Sequence, residues 1–450
     1  MADEEFKPHI LIVGAGLGGL SLAAILERGN ISYEVYERAS SVKPLGSAIA
    51  LGPGVMPFFE QLGVLDRVMA KCKVLGLSYS WNEKLELQNN LSYAVSKEEF
   101  GYDGAIISRP ALHDILLSLI PAEKIHFNKR VLSHVETGDG VLIRTADGET
   151  HRGNILVGAD GAYSGVRQSL YGQLDKAKTL PKSDKEPLKF SSVCLVGQTT
   201  PLDPKMYPSV EDETCQFNGV IGDKDPYFWV TFTTADKTIC WMAILVLNET
   251  SSKEHNTFRN SEWGPEAAES MAKDVRHYPI PCGQYKTLGD LIDLTPKDLM
   301  SKVMLEEKFF KSWYACHKMS PSAGLGASTA IHDAIVFANY LSTLKTNDPD
   351  DITNIFKQYQ DERSQIAKEA VDTSARFTKM FGKTPYNAIL RKLMTYAPKW
   401  FIDLSLLKLR RYRPQISFLP PPNDKGYRRP PYQRSLEKTR PKNFAAAVAV

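Results

Sequence analysis

Cysteine is sparse in this chain, and its placement excludes more than it offers. The six cysteines (Cys72, Cys194, Cys215, Cys240, Cys282, Cys316) are scattered, with no C-x-x-C pair. That spacing supports neither a disulfide framework nor a zinc site and reads as reduced, buried thiols in an intracellular protein. Long apolar runs are missing as well: none reaches the roughly 18 residues that a membrane-spanning helix requires. An excess of one charge is also missing. The formal net charge is +3 over 450 residues, too close to balance to imply a nucleic-acid partner. The first residues, MADEEFKPHILIVGAG, open acidic and pass straight into an apolar run, unlike a signal peptide. No catalytic triad and no metal-ligand spacing stands out, so no resident metal is expected. A cytoplasmic, small-molecule protein of one large or two medium domains remains.

What is present starts at His9. His9 to Val13 (HILIV) reads as a buried parallel strand, Leu20 to Arg28 as a helix stopped by Gly29-Asn30, and Ser32 to Glu37 as a second strand. This is a βαβ unit of a doubly wound sheet. Further on, Ala111 to Ile120 reads as a helix, Lys124 to Val131, Gly140 to Thr145 and Asn154 to Val157 as strands, with a turn at Thr137–Gly140. From Leu188 to Leu247 the texture changes to alternating, aromatic-rich runs (Phe190 to Gly197, Tyr227 to Thr233, Thr238 to Val246), with a hairpin at Ala235-Asp236-Lys237. Residues 251–302 are polar and mixed. Ser328 to Leu344 and Ile352 to about Phe381 read as helices, and Trp400 to Leu407 as a core helix in preference to a segment touching a membrane surface as a peripheral contact. After Lys408 the chain turns basic and proline-rich and is expected to be extended or disordered.

The expected fold is therefore α/β: a Rossmann-like dinucleotide-binding domain with an inserted antiparallel β-sheet domain and C-terminal helices. The boundaries fall at 1–185 and 291–381 for the nucleotide-binding parts, 186–290 for the inserted sheet, and 382–450 for a C-terminal helix and basic tail.

Two motifs carry chemistry. Gly14-Ala15-Gly16-x-x-Gly19 follows a strand and opens a helix. Gly14 permits the tight turn, Gly16 lets backbone approach a pyrophosphate, and Gly19 allows close helix–strand packing; the helix N-terminus then offers free N–H groups to the phosphates. Glu37 ends the second strand, where a carboxylate accepts hydrogen bonds from an adenosine ribose and repels a 2′-phosphate; Arg38 beside it softens that repulsion. The second motif is Gly158-Ala159-Asp160-Gly161-Ala162-Tyr163-Ser164-Gly165-Val166-Arg167, which on its own is an ordinary strand-to-turn junction.

In combination, these motifs resemble the flavin-dependent aromatic hydroxylases, the family typified by para-hydroxybenzoate hydroxylase, with wording nearest the fungal salicylate-hydroxylase-like and kynurenine-monooxygenase-like members. The likeness runs from about Pro8 to Leu344. The resemblance implies FAD as cofactor and assigns Asp160, Gly161 and Arg167 to a loop near the pyrophosphate that is also tied to the nicotinamide nucleotide. It assigns Lys43 to Leu51, with Ser47, to the loop passing the flavin, Arg109 of Ser108-Arg109-Pro110 to a cofactor contact, and Val131 to the strand at the adenine. Pro321-Ser322-Ala323-Gly324-Leu325-Gly326-Ala327 is similar to the family's P-x-x-G-x-G turn, whose Gly324, Gly326 and Ala327 would face the flavin's pyrimidine edge. Arg109 and Pro321 are the positions the resemblance places at the reacting end. It further implies transient NADH or NADPH as reductant, O2 adding at flavin C4a, and transfer of one oxygen from the hydroperoxide to an aromatic or related cyclic small molecule. His317 reads as structural. Of the sheet aromatics Tyr227, Phe228, Trp229 and Trp241, most read as core, with one face able to wall a substrate pocket.

One expected element is missing. The family carries an apolar strand ending in Gly-Asp just ahead of the proline turn, and its aspartate holds the ribityl chain. Here the sequence reads Lys311-Ser312-Trp313-Tyr314-Ala315-Cys316-His317-Lys318-Met319. The alternative reading is thus a diverged or truncated relative with impaired FAD binding and no turnover. An NAD-linked dehydrogenase using the first fold alone is a third reading, opposed by the second motif and the inserted sheet.

Overall fold

The computed structural model describes residues 6–41, 48–161, 163–186, 190–222, 227–247, 265–311, 317–319, 323–380, 389 and 406–440. The apolar run β1 (His9–Val13) is buried along almost its whole length and lies inside a four-stranded parallel sheet. Its order is Ile155–Gly158, β1, β2 (Ser32–Tyr36), Ile125–His126, each pair parallel. The crossover helix α1 (Leu17–Arg28) is buried continuously from Gly19 to Leu26, because the sheet covers one side and the helix Gly326–Leu341 the other. A helix apolar all round is what such double coverage needs. Leu20, Ile25 and Leu26 are fully buried there, each stabilising the fold by roughly 1.5–3 kcal/mol. The close fit depends on small residues: a Cβ on Gly18 would sit 3.4 Å from the Ala330 methyl.

The second large element is a nine-stranded sheet. Its order is Ser301–Glu306, Phe190–Gln198, Ile239–Val246, Tyr227–Thr233, Thr214–Ile221, Cys72–Asn82, Ala105–Ser108, Ala48–Leu51, with Leu87–Ser92 paired to Cys72–Asn82. It draws strands from 48–108 and 301–306 as well as from the 186–290 segment. It is also mixed rather than purely antiparallel, since Thr214–Ile221 pairs with Cys72–Asn82 in parallel. Period-two alternation sorts its side chains. Trp229, Trp241 and Leu195 point to the face covered by the helices Pro265–Val275 and Leu288–Asp293. Phe228, Val230, Phe232 and Met242 occupy the opposite face with Ala50.

Several expectations need correction. The strand expected over Lys124 to Val131 is broken: Ile125–His126 joins the parallel sheet, Asn128 turns at φ +61°, and Val131 begins a separate three-stranded antiparallel sheet. The helix expected over Ala111 to Ile120 spans Arg109–Leu117. The stretch 251–302 holds two helices that cover the sheet. Of the expected core helix at Trp400 to Leu407, residues 400–405 lie outside the described residues.

As far as residue 440 the basic tail is packed, not loose. Arg413 and Ser417 are fully buried. Gln61 donates to the Ile416 and Pro420 carbonyls and accepts from the Ile416 N–H, and Asn339 takes the Ser417 N–H at 2.8 Å. Its cations meet internal carboxylates, Arg413 with Asp424 and Arg428 with Glu99. A basic, proline-rich composition resembles a solvated chain; the partners that bury it lie far off in sequence, Asn339 by 78 residues and Gln61 by 355. Among the described residues, no helix is long and apolar enough to cross a membrane.

Candidate cofactor site

The glycine turn after β1 has the geometry its residues require. Gly14 sits at φ +106°, and a Cβ there would lie 2.5 Å from the Ala159 carbonyl. A Cβ on Gly19 would overlap the Gly14 carbonyl. At Gly16 the reverse holds: a Cβ would meet nothing within 4 Å, so the backbone faces open space. Gly16 caps α1 with no side-chain hydrogen bond, which leaves the first-turn N–H groups available to an anion.

Glu37 lies at the end of β2 and is half-buried. Its Oε2 accepts from the Ala15 N–H and its Oε1 from the Ala39 N–H, both at 2.9 Å. Each oxygen keeps a second lone pair for a ribose hydroxyl. Arg38 beside it is exposed. Val131 is buried at the start of its strand.

The second motif closes the same turn from the other side, since Ala159 and Asp160 are the atoms a side chain at Gly14 would strike. Asp160 Oδ2 accepts from the Gly165 N–H at 2.6 Å and the Val166 N–H at 3.3 Å. Its Oδ1 is buried with no hydrogen-bond partner. Gly161 takes φ +78° beside it, and Ser164 caps the helix Gly165–Lys176. A buried, unpaired carboxylate oxygen costs free energy unless a ligand supplies a donor.

The helix Gly326–Leu341 brings a second uncapped N-terminus to this place, packed along α1. Gly324 takes φ +65°, and a Cβ there would lie 3.3 Å from Ala50. Ala48–Leu51 pairs with Ala105–Ser108, directly ahead of Arg109, the exposed first residue of its helix. Gly324, Gly326 and Ala327 thus lie beside Ala48–Leu51, whose partner strand leads into Arg109, while Gly14, Ala15, Gly16, Gly19, Glu37, Asp160 and Gly161 form the turn between β1 and α1 and its immediate neighbours. Ser47 and Pro321 lie outside the described residues.

His317 is structural. Its Nε2 lies 2.6 Å from Asp333 Oδ2, while Asp333 Oδ1 accepts from Arg363 Nε at 2.8 Å. Burial alone raises the Asp333 carboxyl, but Arg363 and His317 hold it below its ordinary value. Asp333 is thus turned toward His317 and Arg363, within the helix that follows the turn and not on a strand ahead of it. Next to His317, Lys318 is buried against Glu306 and lies over the Tyr163 ring, 4.9 Å from its centroid. Of the sheet aromatics, Trp229 and Trp241 are core: their indole N–H groups donate to the Pro279 carbonyl and to Thr295. Phe228 is on the face that reaches Ala50 and hence the Gly324 turn. Sequence reasoning missed Phe217 on that face, and His113, which bonds the glycine turn. The strand holding Phe217 was not expected, and the spacing of His113 carries no signal.

Two uncapped helix N-termini, an open glycine cradle, a ribose-height carboxylate and an orphaned aspartate oxygen fit a dinucleotide with an anionic centre. The fold and site define a dinucleotide-binding architecture. A family model described as FAD binding domain matches residues 7–195 and 314–374, more than half the chain. The FAD-dependent monooxygenase paxM of Penicillium paxilli is 30% identical over 77% of this chain and 71% of its own length. The FAD-dependent monooxygenase atmM of Aspergillus flavus is 27% identical over 95% of this chain and 89% of its own. In fold, the chain is similar to Klebsiella pneumoniae HpxO, solved with FAD and uric acid, at TM-score 0.73 and 18% identity over 92% of this chain and 99% of that one. The chain belongs to the FAD-binding domain family and, within it, to the FAD-dependent monooxygenases.

Proposed function

We propose that this chain takes reducing equivalents from NADH or NADPH, uses O2, and hydroxylates an aromatic or related cyclic small molecule. The observation that carries the reading is the packing of α1 against Gly326–Leu341, two helices whose N-termini have no side-chain cap, next to the turn where the orphaned Asp160 oxygen lies. When bound, FAD supplies hydride acceptance and oxygen activation. The chain's own residues bind and orient. The Gly14–Gly19 turn and the α1 N-terminus hold the pyrophosphate, Glu37 the ribose, and Asp160 and Gly161 the loop beside them. The Gly324, Gly326 and Ala327 backbone favours negative charge at the second helix N-terminus. Arg109 follows the strand paired with Ala48–Leu51, beside the Gly324 turn. The face carrying Phe217, Phe228, Phe232 and Met242 offers an apolar wall that keeps water from the reacting atoms and accepts a flat ring.

The protein, purified without added flavin, is expected to be yellow, with near-stoichiometric FAD released on denaturation. NAD(P)H oxidation should then rise with the right ring substrate and yield hydroxylated product. A colourless protein, or oxidation uncoupled with every ring tried, overturns the reading.

One observation favours a second reading. No aspartate lies between Glu306 and His317, and Asp333 is engaged elsewhere. A colourless protein that turns yellow when a Gly-Asp strand is inserted ahead of Ala315 would mark this chain as a relative with impaired FAD binding.

A further inference from the structure

Ala15, in the glycine turn, is held from two sides by side chains of other segments. Its N–H donates to Glu37 Oε2 at 2.9 Å. Its carbonyl lies 2.9 Å from His113 Nε2, which reaches in from the helix Arg109–Leu117. A carbonyl only accepts, so Nε2 carries the hydrogen. His113 is 6% exposed, and its Nδ1 is buried without a partner. The imidazole therefore makes one directed bond, and that bond goes to the turn.

The consequence follows from peptide geometry. In a trans peptide the C=O and the following N–H point in opposite directions. There are no cis peptide bonds among the described residues. Holding the Ala15 carbonyl toward His113 turns the Gly16 N–H the other way. Space is open around Gly16, where a Cβ would meet nothing within 4 Å.

We propose that His113 is a positioning residue for the pyrophosphate cradle, fixing the Ala15–Gly16 peptide so that the Gly16 N–H is presented to the cofactor phosphate. This rests on the FAD reading above. His113 does not reach the reacting atoms; it acts through the backbone, as outer partners orient metal ligands.

Three proteins test it: wild type, H113L, which fills the volume without a donor, and H113Q, whose amide N–H reaches about as far as Nε2–H. FAD is titrated into each apoprotein and the dissociation constant read from flavin fluorescence. H113L should weaken FAD on the order of tenfold, and H113Q should return to within about threefold of wild type. The 31P resonances of bound FAD should shift in H113L and return in H113Q, which a general loss of packing does not produce. The 15N spectrum of wild type should show the His113 hydrogen on Nε2. Equal weakening in both variants, no weakening in H113L, or a hydrogen on Nδ1 each overturns the proposal. If neither variant folds, the wild-type 15N spectrum decides. A wild type that shows the Nε2 hydrogen yet binds no FAD sinks the FAD reading and this inference with it, whereas a wild type that binds FAD while H113L binds equally well sinks the inference alone.

Discussion

The two ends of the cofactor groove are built by different means. At the phosphate end, around Gly14 to Gly19, the backbone does the binding and small residues make room for it; what matters there is the absence of side chains. At the opposite end, the segment leading into the Gly324 turn is anchored by buried charges: Glu306 with Lys318, and Asp333 with His317 and Arg363. These partners come from the large sheet, one two-residue strand and two helices. The difference teaches that a site can depend on shape at one end and on charge pairing at the other, so the two ends should fail in different ways.

The largest effect is expected from G14V. At φ +106°, with a carbonyl 2.5 Å from the new Cβ, the turn cannot form as it stands. Bound FAD should be lost outright, and stability should fall by about 3–5 kcal/mol in denaturant titrations. A yellow G14V protein would show that the phosphate end does not depend on shape.

D333N attacks the other end and should cost about 3–5 kcal/mol of stability, because it leaves Arg363 buried and unpaired. Its FAD affinity should change far less than its melting temperature. The Asp333 carboxyl is held below its ordinary value, so its contribution is present above that value and lost as pH falls through the depressed one. The gap between wild type and D333N should therefore persist at pH 5 and close in more acidic solution. A variant that keeps its melting temperature yet sheds FAD would erase the contrast between the ends.

His332 gives a pH test with a smaller effect. Burial, with Arg363 nearby, pushes its imidazole down to about 3. Between that value and the ordinary one, the unfolded chain takes a proton that the folded chain refuses, so stability falls as pH drops. The loss should reach about 2 kcal/mol between pH 6.5 and 5. H332Q, which keeps a donor for the Gly54 carbonyl, should flatten that slope in denaturant titrations at the two pH values.

D160A is expected to be the mildest. Removing the orphaned oxygen and the bond to the Gly165 N–H should weaken FAD about tenfold by fluorescence titration, near 1.4 kcal/mol. An unchanged affinity would mean that the orphaned oxygen has no ligand to meet.

The same contrast governs how much was legible in the sequence. The strand His9–Val13, the helix after it and the Gly14-x-Gly16-x-x-Gly19 turn are local, and their periodicity and glycine spacing read directly. So do Tyr227–Thr233 and Ile239–Val246, whose alternation is carried by their own side chains. The pairing of Thr214–Ile221 with Cys72–Asn82 was not legible, because a parallel neighbour about 140 residues away leaves no trace in either segment. The Asp333–Arg363 pair, the His113 bond and the burial of Arg413 are likewise products of tertiary placement. Lys124 to Val131 misled for a related reason. Two strand fragments of different sheets are joined there by Asn128 in a left-handed turn, and the sequence reads as one run.

The docked C-terminal segment has a consequence for the order of folding. Asn339 and Gln61 wait for partners at Gln415, Ile416, Ser417 and Pro420, the last two bonds of Gln61 spanning 355 and 359 residues of chain. During synthesis the glycine turn and both cofactor helices emerge long before those partners do. Until then, polar groups destined for burial stay hydrated and the outer side of Gly326–Leu341 lies uncovered. Closing such loops is slow, so docking of this segment should be a late event in folding, and a nascent chain halted near residue 400 should be bound by chaperones rather than held in its native shape.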